Sequence, residues 1–402
     1  MEQRPESSTS PNWLARAYEW QAREPCIELP FPAEEYALRL ARTRDLMAEQ
    51  GLEALIVCGD PGHPGDVRWL ANWNPGIGNA YLFVPQEGEP TLVLHDTVPG
   101  YDLCATWIKE ICRPTRGPDS LLKVRDDLLG LLRDHGVVHR LGIVGETGLP
   151  TVVYQGIQGD NSHLEIEDTA FLFVDLRAVK SPQEIVKMRE AVRQSDAALR
   201  AAVETVREGV PEREVVAEAL RVMFREGADD VAFMPLAVSG PRAAWKHASP
   251  TARPIQQGEP VYIDLGAKYQ GYCADLSRTV LLGTPTREQA NALEFALAAT
   301  TAVKEAARPG IPARRLREVG NGIAAQFGLA GKAYGTGHGL GCKLREQPLL
   351  DPTNELLLQP GMTIAIEPMC VSELGTFVVE DDILITETGS EFLSHCPRRN
   401  WT

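Results

Sequence analysis

Asp264 and Asp275 share the stretch VYIDLGAKYQGYCADLSRTVLLG, and the chemistry of this chain is organised around that pair. The stretch reads as two strands, VYIDLGAK and GYCADLSRTVLL, closed by a tight Tyr-Gln-Gly turn. Pairing through the turn brings both carboxylates to neighbouring rungs on one face. Two like charges held that close in a half-buried sheet repel unless something neutralises them. Solvated acids on the wet face of an edge hairpin need no partner, whereas a shared metal site supplies one. Three further groups lie downstream. His338 is framed by glycines in YGTGHGLGCKLREQP, which lets an imidazole project and backbone approach closely. Glu367 ends a strand in LQPGMTIAIEPMC, because Pro368 has no N–H to give to a ladder. Glu380 lies in TFVVEDDILITETG among Val378, Val379, Ile383 and Ile385, where an acid is badly solvated unless partnered. Four carboxylates and a neutral imidazole balance most of the charge of two divalent cations, and such donors suit Mn, Fe, Co or Zn. A pair of ions about 3.5–4 Å apart makes a trapped water nucleophilic near neutral pH.

With their local sequences (IDLGAKYQGYCADLSRT, GTGHGLG, IEPM, VEDDILIT), these five residues resemble the pita-bread family of metallopeptidases, which includes methionine aminopeptidase, aminopeptidase P, prolidase and creatinase. They fall in order on that family's metal-ligand positions. The resemblance implies two divalent ions, with Mn foremost and Fe, Co or Zn as alternatives. Asp264 would chelate one ion, His338 and Glu367 the other, and Asp275 and Glu380 would bridge. It also makes Glu367 a proton shuttle and His247, in WKHASP, the active-site histidine that meets the substrate or the reacting centre. The implied activity is hydrolysis of an amide or peptide C–N bond in a small substrate, as in an Xaa-Pro peptidase of the aminopeptidase P or prolidase type. The alternative is a non-peptidase of the same fold, an amide hydrolase or carbon–heteroatom lyase acting on a small charged metabolite. Non-catalytic relatives usually lose the ligands, so keeping all five argues against a pure binding module.

The chain departs from these relatives at two positions. Where the peptidases carry a second histidine, seven residues after the ligand His, it has Arg345. Where aminopeptidase P and prolidase typically place an Arg, two residues before the last Glu ligand, it has Val378. Arg345 cannot shuttle protons at neutral pH, but its planar fork suits a carboxylate or an oxyanion. The other reading pairs Arg345 with Glu346 or Asp381. Trp245 and Trp73 are candidate pocket walls, with burial in a core as the commoner fate of either.

These groups need a scaffold. Ser181-Pro182-Gln183-Glu184 carries the marks of a helix start, and the helix runs to a stop at Gly209. A catalytic domain is therefore expected over residues 179–402. VREGVPEREVVAEALR and AARPGIPARRLREVGN echo one another, each with a helix end, Gly, an apolar residue, Pro and a new helix. A genuine repeat would give two related helix pairs backing one sheet. The resemblance implies an α+β pita-bread domain, a curved antiparallel sheet backed by pseudo-twofold-related helix pairs. Residues 33–178 alternate helical and strand patterns and read as an α/β domain. Residues 1–32 form a leader rich in Pro, Ser and Glu, whose patch NWLARAYEWQAR suits docking on another surface.

Composition narrows the partners. A net charge of -15 over 402 residues disfavours non-specific binding to nucleic acid or to an anionic membrane. No apolar run approaches a membrane span and MEQRPESSTSPNWL lacks the form of a signal peptide, so a cytoplasmic protein is expected. The 8 cysteines include no CxxC pair and are expected to be free thiols. The expected partner is a dipeptide or other small molecule, and the resemblance adds a homodimer.

Overall fold

A computed structural model of the chain describes residues 16–98, 102–114, 116–145 and 148–399. The chain divides into two compact units, Met1–Leu176 and Arg177–Thr402. In the first, α1 (Ala33–Glu49), β1 (Ala54–Gly59), α2 (Gly65–Ala71), β2 (Asn79–Pro85), β3 (Thr91–His95) and β4 (Glu110–Cys112) are followed by α3 (Ser120–Asp134), β5 (Arg140–Val144), α4 (Thr151–Asp160) and β6 (Glu165–Asp168). The sheet order is β4-β3-β2-β1-β5-β6. β2 runs antiparallel to β1 and β3, while β5 and β6 continue the sheet in parallel. α1 stops where Gly51 takes φ +69° and the Leu52 N–H reaches back to the Met47 carbonyl at 2.9 Å. Of the leader, residues 1–15, including Trp13, lie outside the described residues. Its remainder packs on this same unit: Arg23 is buried and donates to the carbonyls of Leu103 (2.9 Å) and Ile108 (2.7 Å).

The second unit begins with the helix pair α6 (Pro182–Thr205) and α7 (Glu212–Arg225), numbered after α5 (Ala170–Ala178). Then come β7 (Asp230–Val231), β8 (Leu236–Ser239), β9 (Pro260–Leu265), β10 (Ala267–Tyr269), β11 (Tyr272–Cys273) and β12 (Leu276–Leu281). A second helix pair follows, α8 (Arg287–Ala306) and α9 (Arg314–Gln326). The chain ends with β13 (Ala333–Tyr334), β14 (Gly337–Gly339), β15 (Glu346–Leu349), β16 (Thr363–Ile366), β17 (Met369–Ser372), β18 (Gly375–Val378), β19 (Asp381–Ile385) and β20 (Ser390–Phe392). Among the described residues, the ladders between these strands are all antiparallel.

The echo between the two corners is a structural repeat. α6 opens with a capping box, Ser181 with Glu184, and α8 with another, Thr286 with Gln289. Gly209 and Gly310 turn the corners at φ +82° and +83°. Their N–H groups donate to Ile255 and Leu358, each at 2.9 Å, and those two residues return 2.9 Å bonds to Val210 and Ile311. Small apolar residues such as Ala191, Ala198 and Ala202 then let α6 lie close against β9 and β12.

The sequence patterns expected as single strands are divided between sheets. VYIDLGAK breaks at Gly266 into β9 and β10, and GYCADLSRTVLL breaks at Ala274–Asp275 into β11 and β12. TFVVEDDILIT breaks at Val379–Glu380 into β18 and β19, and Glu367–Pro368 separates β16 from β17. Close backbone approach causes the first two breaks: a Cβ on Gly266 would lie 1.9 Å from the Ala274 carbonyl oxygen. The hairpin closes with Gln270 and Gly271 both at positive φ, +49° and +91°, the backbone of a two-residue type I′ turn. The ladders therefore change sheet at or beside the acids expected to act, which frees those side chains to converge.

Candidate metal centre

Asp264 pairs with Ser277 across β9 and β12, so Asp275, two residues before Ser277, is its diagonal neighbour on the same face. Glu380 is suspended beside them by its own N–H, which donates to the Ser277 carbonyl at 3.0 Å. His338, on β14, lies opposite Ala365 of β16. Glu367 follows β16 and is tied by its N–H to the Thr336 carbonyl at 3.0 Å. One donor atom from each of Asp275, His338 and Glu380 falls within 4.8 Å of the others. His338 Nε2 lies 3.5 Å from Asp275 Oδ2, and its Nδ1 lies 3.1 Å from the Gly339 carbonyl oxygen. That oxygen only accepts, so Nδ1 carries the proton and Nε2 presents a lone pair to the acids. All five side chains are buried and line one cavity of about 310 Å³, together with Lys246, His247 and Arg345.

Burial dominates the electrostatics here. It pushes the Asp264 carboxyl up to about 7 against the opposing Tyr262 hydrogen bond. Asp275 and Glu380 are driven well above the carboxylate range by burial and then by neighbouring acids. Burial likewise lowers His338, favouring the neutral ring. The supporting contacts leave donor capacity open. Tyr262 Oη donates to Asp264 Oδ2 at 2.5 Å, while Asp264 Oδ1 is buried with no hydrogen-bond partner among the described residues. The Asp275 backbone N–H is fixed by Asp382 Oδ2 at 3.0 Å. An orphaned buried oxygen, three carboxyls held away from ionisation and a neutral imidazole form a donor set that hard divalent ions fit.

Lys246 lies in the cavity as well, its Nζ 2.9 Å from Glu367 Oε2. Sequence reasoning passed over it, since a lysine in an irregular loop has no periodic signature; its place beside His247 was the available signal. Arg345 makes no hydrogen bond or ion pair among the described residues. The acids offered as its alternative partners are already engaged: Glu346 with Lys180 (2.7 Å) and Arg177 (3.3 Å), Asp381 with Arg278 (2.8 Å) and Arg398 (2.6 Å). Val378 is core, packed with Tyr262, Met369 and Ala243. Neither expected tryptophan wall lines the cavity. Trp245 ends a short 3-10 turn and is 73% exposed, and Trp73 is buried in the first unit, whereas the lining belongs to the second.

Residues 186–387, half of the chain, match metallopeptidase family M24. The chain belongs to that family. A relative from Pyrococcus furiosus described as an Xaa-Pro dipeptidase is 30% identical over 362 residues, covering 90% of this chain and 98% of its own. Another Xaa-Pro dipeptidase, from Pyrococcus horikoshii, is 35% identical over 65% of this chain and 74% of its own length. Among solved structures, the prolidase from Pyrococcus horikoshii superposes with a TM-score of 0.79 at 28% identity, over 90% of this chain and 99% of that one. The prolidase from Thermococcus sibiricus gives 0.81 at 26%, over 90% and 98%. The second unit thus has the pita-bread fold of the M24 family, and membership makes the chain a divalent-metal hydrolase. No helix among the described residues is long and apolar enough to cross a membrane.

Proposed function

We propose that this M24 protein is an Xaa-Pro dipeptidase of the prolidase type, using two divalent ions, with manganese as the native metal. The observation that carries the reading is the convergence of Asp264, Asp275, His338, Glu367 and Glu380 in one cavity that also presents His247 and Arg345. On this reading Asp264 would serve one ion, His338 and Glu367 the other, and Asp275 and Glu380 would serve both. The ions, when bound, supply Lewis acidity and an activated water. The protein's own groups do the rest. Glu367, on the cavity wall, would take a proton from the attacking water and pass it to the leaving proline nitrogen as the C–N bond breaks. His247 stabilises the developing oxyanion, and Arg345, unpaired among the described residues, clamps the substrate carboxylate with two N–H groups. The names of the relatives favour this peptidase over a lyase or a non-peptide amide hydrolase. A homodimer in the cytoplasm belongs to the same reading.

The test is elemental analysis of purified protein together with an assay of Ala-Pro, Gly-Pro and Leu-Pro with added manganese. About two metals per chain and dipeptide turnover, both lost in Asp275→Ala, are expected. Full metal occupancy without turnover of any Xaa-Pro dipeptide would overturn the substrate, and full turnover by Asp275→Ala would overturn the site.

A further inference from the structure

Glu212 lies in the first turn of α7 with its side chain fully buried, and its carboxylate is spent on a different segment. Oε1 accepts from the Ser239 N–H (2.8 Å) and hydroxyl (2.9 Å). Oε2 accepts from the Thr251 N–H (2.9 Å) and hydroxyl (2.8 Å), and from the Arg242 guanidinium. Arg242 in turn donates to the Ser249 carbonyl at 2.7 Å. One carboxylate therefore fastens both ends of the segment from Ser239 to Thr251, and Arg242 cross-braces its interior. That segment carries Lys246 and His247 into the cavity. Although burial opposes its charge, the bonds from Ser239 and Thr251 hold the Glu212 carboxyl below its usual range.

The repeat shows that this carboxylate is not required by the corner it stands on. The Glu212 N–H donates to the Arg253 carbonyl at 3.0 Å, and at the equivalent place in the second corner the Ala313 N–H donates to Leu356 at 2.9 Å. The two corners have the same backbone bonds, one with a glutamate and the other with an alanine. The glutamate is present in the half whose loop enters the cavity.

We infer that Glu212 is a positioning residue, which closes the loop from Ser239 to Thr251 and so fixes His247 and Lys246 at the reacting centre. What His247 does there rests on the function proposed above; the closure of the loop does not. The experiment uses the full-length, manganese-loaded protein and its Glu212→Gln variant, which keeps the side-chain volume but replaces one acceptor oxygen by an NH2 group. Limited trypsin digestion, with bonds identified by mass spectrometry, reports loop opening at Arg242 and Lys246. Cleavage there is expected to be about tenfold faster or more in the variant, since hydrogen bonds to a charged group are lost and cleavage follows the open population. Metal content is expected to stay unchanged. In Ala-Pro hydrolysis, kcat/KM is expected to fall, and Glu212→Gln/His247→Ala is expected to be no worse than His247→Ala alone. Unchanged cleavage at both bonds overturns the inference, as do losses that multiply in the double variant. Should Glu212→Gln fail to fold, Thr251→Val removes the hydroxyl's bond to Glu212, together with those it accepts from Arg242 and the Arg253 N–H, and is expected to raise the same two cleavages more modestly; wild-type resistance there overturns the inference equally. Absence of Xaa-Pro turnover in the wild type sinks the proposed function and leaves the digestion to decide the loop.

Discussion

Tyr262→Phe removes a single oxygen from the candidate metal centre. The ring is 1% exposed and packs against Ala243, Met369 and Val378, so phenylalanine retains its packing. The loss is the hydrogen bond from Tyr262 Oη to Asp264 Oδ2. A hydrogen bond to a charged partner contributes about 1.5–3 kcal/mol, equivalent to roughly 10–150-fold in a binding constant. Partners that orient metal-ligating groups typically account for about 10–100-fold in metal affinity. The two estimates overlap, so the variant is expected to bind manganese roughly 10–100-fold more weakly at the site that uses Asp264. The deficit has a pH dependence of known sign. Asp264 is pushed up to about 7, and Tyr262 opposes that rise, so losing the donor lifts the carboxyl further. A proton must then be displaced over a wider range, and the deficit is larger at pH 6.5 than at pH 8.5. Calorimetric manganese titration at both pH values, with chelator competition for the tighter site, measures it, while circular dichroism in EDTA checks the fold. Wild-type affinity at both pH values, with the fold intact, would refute the claim that this hydroxyl orients Asp264.

Lys246→Met removes a cation that competes with metal for Glu367, so chelator competition is expected to show roughly fivefold tighter manganese binding, a small gain because the pair is partly exposed; weaker binding would contradict it. Gly266→Ala drives a Cβ into the Ala274 carbonyl and is expected to cost about 1–3 kcal/mol in urea unfolding, with loss of bound metal. Arg278→Met strips a fully buried guanidinium from Asp381 and from the carbonyls of Glu380, Cys396 and Pro397, at about 3–5 kcal/mol by the same measurement. The Glu212 carboxyl is held below its unfolded value, so its stabilisation is present above about pH 4.3 and is lost as pH falls through the folded value. The stability gap between wild type and Glu212→Gln is therefore expected to narrow on acidification from pH 6 to pH 3.5; a constant gap would exclude the linkage.

The hairpin acids were legible because strand alternation and a turn of fixed length together set which side chains share a face. Glu367 and Glu380 were legible as acids stranded among β-branched neighbours. The break at Glu367 was legible from Pro368, but the sheet changes at Gly266, Asp275 and Glu380 were not, since period-two alternation continues through a break and only three-dimensional crowding reveals it. Lys246 and Glu212 escaped for a related reason: Lys246 owes its place to a loop fastened from outside itself, and Glu212, on a helix, is the group that fastens it. Trp245 and Trp73 show the limit of residue type alone, one turned to solvent and the other sealed in a core. Arg345 stands out in the sequence as a departure from relatives, but its lack of a partner among the described residues needed the positions of Lys180, Arg177, Arg278 and Arg398.

The converging groups come from both halves of the repeat, Asp264 and Asp275 from the first and His338, Glu367 and Glu380 from the second. This has a consequence for biosynthesis. Asp275 emerges from the ribosome 63 residues ahead of His338 and 105 ahead of Glu380. The nascent hairpin is a pair of acids with no imidazole and no second bridge, unable to hold a transition ion tightly. Metal acquisition on the proposed site is thus a late event, after both halves have been translated and docked. With ligands this unselective among Mn, Fe, Co and Zn, the ion that fills the site is decided by the metal pool the finished chain meets.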